Sequence, residues 1–161
     1  MKIGIIGCGL IGTKRADSIS KLDRIKYIYD INKQRSKMLS KKTGAKISSS
    51  IKDILESDID AVFIATTHNT LSDITLSAIK KHKHVLVEKP GSCESKELKK
   101  IISLSKKNNV IVKVGFNHRF HPAILKAKSI IEKNNLGEIL FIRGMYGHGG
   151  RVGYENEWRC N

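Results

Sequence analysis

No long hydrophobic run interrupts this 161-residue sequence. Its longest apolar stretches, such as Ala61–Ala65 and Val110–Val112, fall far short of the ~20 residues that a membrane-spanning helix needs. The opening Met1-Lys2-Ile3-Gly4-Ile5-Ile6-Gly7 has the order of a secretion signal. Its apolar stretch is too short, glycines break it, and no small-residue cleavage site follows. It is expected to be a buried first strand, and the protein cytoplasmic with no membrane partner. Cysteine is scarce as well. Cys8, Cys93 and Cys160 lie far apart, with no C-x-x-C pair and no metal-ligand spacing, which argues for free thiols and against a metal site.

Aromatic residues make up only 6% of the chain, and acidic residues are outnumbered 15 to 30 by Lys and Arg. The resulting net charge of +15 raises the question of a nucleic-acid partner. The lysines, Lys99 and Lys100 among them, spread over many predicted helices beside apolar positions, as solvated faces do. No aromatics interleave them as a stacking surface would require. A basic nucleic-acid-binding protein is therefore the weakest of the functional readings. Internal repeats and low-complexity linkers are also missing.

What the sequence does have is alternation. Lys2–Ile6, Ile25–Ile31, Ala61–Thr66, Val85–Val87 and Val110–Val114 read as strands, and Lys46–Ser50 is ambiguous. Ile11–Leu22, Gln34–Lys42, Ile51–Glu56, Leu71–Lys81 and Glu94–Lys107 read as helices. Strands separated by helices mean β-α-β units, hence an α/β fold with a parallel sheet and right-handed crossovers. After Phe116 the texture changes to a helix (Pro122–Asn134), one strand (Ile139–Met145) and a glycine-rich polar segment. One helix and one strand make no core of their own. The expected organisation is a dinucleotide-binding domain over residues 1–118, then an incomplete second domain over 119–161.

Gly7-Cys8-Gly9-Leu10-Ile11-Gly12 matches G-x-G-x-x-G, after a predicted strand and at the opening of a predicted helix. In this pattern Gly7 permits the tight turn, Gly9 lets backbone approach a pyrophosphate, and Gly12 lets the helix pack close to the sheet. The helix N-terminus offers free N–H groups to phosphate. Asp30 lies at the end of the second strand, where a carboxylate accepts ribose hydroxyls and repels a 2′-phosphate. NAD is thus expected in preference to NADP, with Lys33 and Arg35 nearby to soften that exclusion. The alternative for Asp30 is a plain cap on the next helix.

With these residues in view, the sequence resembles the Gfo/Idh/MocA oxidoreductases over essentially its whole length. The carriers are the glycine loop, Ala65-Thr66-Thr67, Lys83-His84-Val85-Leu86-Val87-Glu88-Lys89-Pro90, and Gly115-Phe116-Asn117-His118-Arg119-Phe120-His121-Pro122. Gly147-His148-Gly149-Gly150-Arg151 through Trp158-Arg159 resembles a subgroup acting on sugars. The resemblance implies a Rossmann domain followed by the start of an α/β C-terminal domain. It also implies oxidation of a secondary alcohol of a sugar, inositol or nucleotide-sugar, in a homo-oligomeric parent. Lys89 would be the catalytic cation beside the nicotinamide, with the Lys89–Pro90 bond often cis in the family. Cys8, Leu10, Ile11, Thr66, Thr67, Glu88 and Asn117 would complete the cofactor site. Arg119, His148 and Arg159 would face substrate. Thr67, Leu71 and His82 depart from the family's usual Pro, His and Gly. The family's proton-transferring His, in an Asp-x-x-x-His element, is expected beyond Asn161. The competing reading is a dinucleotide-binding module without turnover of its own.

Overall fold

The computed structural model describes residues 1–19, 22–147 and 152–153. The chain divides into two compact units, Met1–Asn117 and His118–Asn161. The first unit holds six strands, β1 (Lys2–Ile6), β2 (Arg24–Tyr29), β3 (Lys46–Ile47), β4 (Ala61–Ile64), β5 (His84–Val87) and β6 (Val112–Val114). Between them run five helices, α1 (Leu10–Asp17), α2 (Lys33–Thr43), α3 (Ile51–Glu56), α4 (His68–Lys80) and α5 (Ser95–Lys107). The strands form one parallel sheet in the order β3-β2-β1-β4-β5-β6. This is the doubly wound Rossmann order, with its switch point between β1 and β4.

The period of two along β1 decides which face each helix covers. Ile3 and Ile5 pack with Ala16, Ile28, Leu39 and Ala45 on the side of α1 and α2. Ile6 packs on the other side with Ile54, Leu71, Ile79 and Ile101, from α3, α4 and α5. Gly4 also faces that second side, because a Cβ there would meet the Ile54 and Ile59 side chains at 2.8 and 2.9 Å. Burying each such isoleucine stabilises the fold by about 1.5–3 kcal/mol, so the two clusters hold the sheet between its helical layers.

Helix ends follow local chemistry. Asn32 caps α2 by accepting the N–H groups of Gln34 and Arg35, and Gly44, with φ 72°, ends it in the left-handed region. Ser50 caps α3. Helix α1 stops at Asp17, short of the predicted Leu22. Only Gly12 and Ala16 of it are buried, and the Ser18 hydroxyl bonds back to the Lys14 carbonyl. Ile19, past the helix end, still packs against the core, so the predicted apolar spacing continues in non-helical chain.

A 3₁₀ turn (Asn117–Phe120) starts at the last residue of the first unit, and α6 (Pro122–Glu132) follows in the second. The predicted strand Ile139–Met145 is absent: residues 139–147 have no regular structure. A strand exists only where another backbone satisfies its N–H and C=O groups. Leu140, Phe141 and Ile142 are 84%, 83% and 80% exposed, so no sheet face covers them.

Candidate functional site

The end of β1 turns into α1 through the glycine loop, and each glycine there meets different surroundings. Gly7 has φ 94°, and a Cβ on it would lie 2.4 Å from the Ala65 carbonyl oxygen after β4. A Cβ on Gly12 would lie 1.8 Å from the Gly7 carbonyl oxygen. Protein packing alone therefore demands both. Gly9 differs. Among the described residues, nothing lies closer to its missing Cβ than a guanidinium nitrogen of Arg35 at 3.9 Å. Its backbone is extended, with φ −71°, and it is the N-cap of α1 without a capping side chain. The N–H groups of Leu10, Ile11 and Gly12 form the first turn and have no carbonyl four residues back inside the helix. No acidic side chain sits in that turn to compete for them.

Asp30 follows β2 and reaches back to the loop. Its Oδ2 accepts the Cys8 N–H at 2.7 Å, and its Oδ1 accepts the Asn32 N–H at 2.8 Å. The cap of α2 is Asn32, so Asp30 is not that cap. A carboxylate offers about four acceptor positions, and two remain after these bonds. A cleft of about 400 Å³ runs between α1 and α2, bordered by Gly9, Leu10, Thr13, Arg35, Met38 and Lys42. A larger depression of about 540 Å³ opens at the start of β2 and the end of α1. That is the opposite rim from the carboxyl ends of the strands, where open α/β sheets bind ligands. Cys8 is 4% exposed, and burial, helped by the Asp30 charge, pushes its thiol up to about 12. It fills space in the loop and has no thiolate character at neutral pH.

The neighbouring strand ends carry the remaining candidates of the first unit. After β4, Thr66 and Thr70 place their hydroxyls 2.8 Å apart, and Thr67 is the N-cap of α4. After β5, the Glu88 N–H donates to the Ile64 carbonyl, the Gly91 N–H donates to the Glu88 carbonyl, and the Lys89–Pro90 bond is cis. Lys89 is exposed. The N–H of Asn117, after β6, donates to the Gly115 carbonyl. Thus the glycine loop, Asp30, Thr66, Thr67, Glu88, Lys89 and Asn117 all follow the carboxyl ends of β1, β2, β4, β5 and β6. Arg119, in the second unit, is exposed in the 3₁₀ turn. His121 there caps α6 through Nδ1, and the ring of His118 stands edge-on to Tyr146 at 5.5 Å. His148 and Arg159 lie outside the described residues.

One arrangement had no sequence signal. Arg15, on the last turn of α1, holds Glu88 through Nε at 2.6 Å and Nη2 at 2.5 Å, with side chains only 24% and 14% exposed. The two residues are 73 apart in sequence, and no period or motif links them. The carboxylate expected to border a nicotinamide riboside already has a partner in the protein. Among the described residues, no cluster of His, Cys, Asp or Glu is arranged to hold a metal ion, and no helix is long and apolar enough to cross a membrane.

Residues 1–116 match the family model GFO_IDH_MocA, described as an oxidoreductase family with an NAD-binding Rossmann fold. The chain belongs to this family. It is 34% identical over 144 residues to myo-inositol 2-dehydrogenase of Thermotoga maritima, covering 86% of this chain and 42% of that protein. It is 39% identical over 102 residues to L-aspartate dehydrogenase of Methanocaldococcus jannaschii, covering 61% and 38% respectively. The crystal structure of an NAD-binding protein from Listeria innocua superposes with a TM-score of 0.78 at 28% identity, covering 85% of this chain and 41% of that one. The chain thus spans about two-fifths of the length of the relatives it matches.

Proposed function

We propose that this chain supplies the cofactor-binding half of an NAD-dependent oxidoreductase acting on a secondary alcohol of a sugar, inositol or nucleotide-sugar. The observation that carries the cofactor half is Gly9. No described residue requires glycine there, yet a Cβ would project into the space beside the open first turn of α1. A pyrophosphate suits that space, with the N–H groups of Leu10, Ile11 and Gly12 turned to it. The two remaining acceptor positions of Asp30 would take the adenosine ribose hydroxyls, and its charge would repel a 2′-phosphate. NAD is therefore favoured over NADP.

The bound cofactor would exchange a hydride with the alcohol carbon. Lys89, exposed at the end of β5, would hold its ammonium against the reacting oxygen and stabilise alkoxide charge as it develops. Thr66, Thr67 and Asn117 would border the nicotinamide end, and Arg119, His148 and Arg159 the substrate. The substrate class leans on the reach of the similarity. The match to myo-inositol 2-dehydrogenase covers more of the chain than residues 1–117 make up; the match to L-aspartate dehydrogenase covers less. We assign residues 1–118 to the cofactor domain and 119–161 to the beginning of a substrate domain, in a homo-oligomeric cytoplasmic parent.

Calorimetric titration with NADH and NADPH tests the cofactor half. NADH should bind more tightly, and Asp30→Asn should weaken NADH by about tenfold or more, since charge-assisted bonds contribute about 1.5–3 kcal/mol. Equal or tighter NADPH binding would sink the role of Asp30. The chain alone should not form NADH from myo-inositol, because a positioned general base contributes about 10²–10⁴-fold and none is assigned here. In the parent, Lys89→Ala should lower kcat about 100-fold or more and leave NADH affinity nearly unchanged.

A further inference from the structure

The Arg15–Glu88 pair connects two parts of the proposed site. Helix α1 presents the pyrophosphate-binding turn at its start and Arg15 at its end. Glu88 directly precedes Lys89, in a turn whose backbone is pinned by the Glu88 N–H to Ile64 and by the Gly91 N–H to Glu88. Gly115, whose N–H donates to Val87, completes the arrangement. Its φ lies outside the left-handed region, so the backbone does not demand glycine. The ion pair instead crowds this position, so a side chain there would displace it. A Cβ on Gly115 would lie 2.8 Å from Arg15 Nη2 and 3.1 and 3.2 Å from the two Glu88 carboxylate oxygens. Three elements, α1 and the ends of β5 and β6, are thus shaped around one guanidinium–carboxylate contact.

We propose that Arg15 is a positioning residue: it neutralises and fixes Glu88, so that the adjacent Lys89 ammonium faces the reacting region without a competing carboxylate. The idea rests on the reading of Lys89 given above. Without Arg15, Glu88 is a loose anion one residue from Lys89. An ammonium paired with it would be drawn off the substrate oxygen. Because Arg15 and the phosphate-binding turn share one helix, the same contact couples cofactor seating to the placement of Lys89.

The test follows the Lys89 Cε resonance against pH in the ¹³C-lysine-labelled chain, assigned by its loss in Lys89→Arg. Arg15→Met should raise the Lys89 titration midpoint by about half a unit or more, as a newly freed neighbouring carboxylate requires. Gly115→Ala, which leaves every charge in place but pushes the pair apart, should shift it the same way. The double variant Arg15→Met/Glu88→Gln should return it to the wild-type value, and Arg15→Lys should hold it there. A merely structural tie would loosen in all these variants without this pattern of sign and cancellation. An unchanged Lys89 midpoint in folded Arg15→Met and Gly115→Ala would overturn the proposal. Failure of the catalytic reading would show separately, as normal turnover of Lys89→Ala in the parent.

Discussion

The two units use the same apolar residue types to opposite effect. In Met1–Asn117, Ile5, Ile6, Ile28 and Ile64 are at most 1% exposed, each on a strand with a helix over it. From His118 on, no described residue is buried, and Ile124, Leu140, Phe141, Ile142 and Met145 are all exposed. Hydrophobicity therefore did not decide which segments became structure. Partners did. In the first unit every strand has a neighbour in parallel register, whereas the apolar run at 139–145 has none among the described residues. Substitutions in the two regions should differ accordingly.

The largest effect belongs to the glycine loop, where two neighbouring glycines should fail for different reasons. Gly12→Val drives a side chain onto the Gly7 carbonyl from 1.8 Å, a clash with backbone that cannot rotate away. Overpacking of this kind costs about 1–3 kcal/mol and sometimes more. Thermal unfolding should show the midpoint falling by about 10 °C or more. Gly9→Ala meets nothing closer than the Arg35 guanidinium at 3.9 Å among the described residues, so its melting temperature should stay within about 2 °C while NADH binding weakens at least tenfold. Equal melting losses in both variants would erase the distinction between a glycine that the fold needs and one that a ligand needs.

A middle-sized effect separates Asp30 from its neighbour. Asn32→Ala removes the cap that accepts the Gln34 and Arg35 N–H groups and should destabilise the first unit by about 1 kcal/mol. NADH affinity should hardly change. Asp30→Asn should show its main effect in the titration. If the two variants behave alike, Asp30 belongs to the scaffold of α2 and not to the ribose site.

How much of this was legible follows from range. The strand–helix alternation, the glycine loop and the acidic residue after β2 are local patterns, and a period of two or 3.6 carries them directly. The end of α1 was not legible, because the apolar spacing runs on to Ile19, which still packs against the core after the helix has ended at Asp17. The Arg15–Glu88 contact and the crowding at Gly115 arise only when the ends of α1, β5 and β6 converge, so none of these residues announces itself in the sequence. The error at Ile139–Met145 has the same root. Its short apolar run is a good strand pattern, but a strand is a relation between two segments and the pattern describes one.

That error yields the smallest predicted effect, and its smallness is the point. Phe141 is 83% exposed and lies in irregular backbone. Phe141→Ser removes a large ring, a change that costs about 3–5 kcal/mol when an aromatic is cut back in a packed core. Among the described residues Phe141 has no such packing to lose, and surface substitutions away from special features stay within about 0.5 kcal/mol. The melting temperature and NADH affinity of the chain should both match wild type within error. Solubility should improve, because Leu140, Phe141 and Ile142 together present a continuous exposed apolar run. A melting loss of several degrees in Phe141→Ser would break the comparison between the two units. It would mean that the ring is covered in solution, and that the run at 139–145 is held by a partner as firmly as the strands of the first unit hold one another.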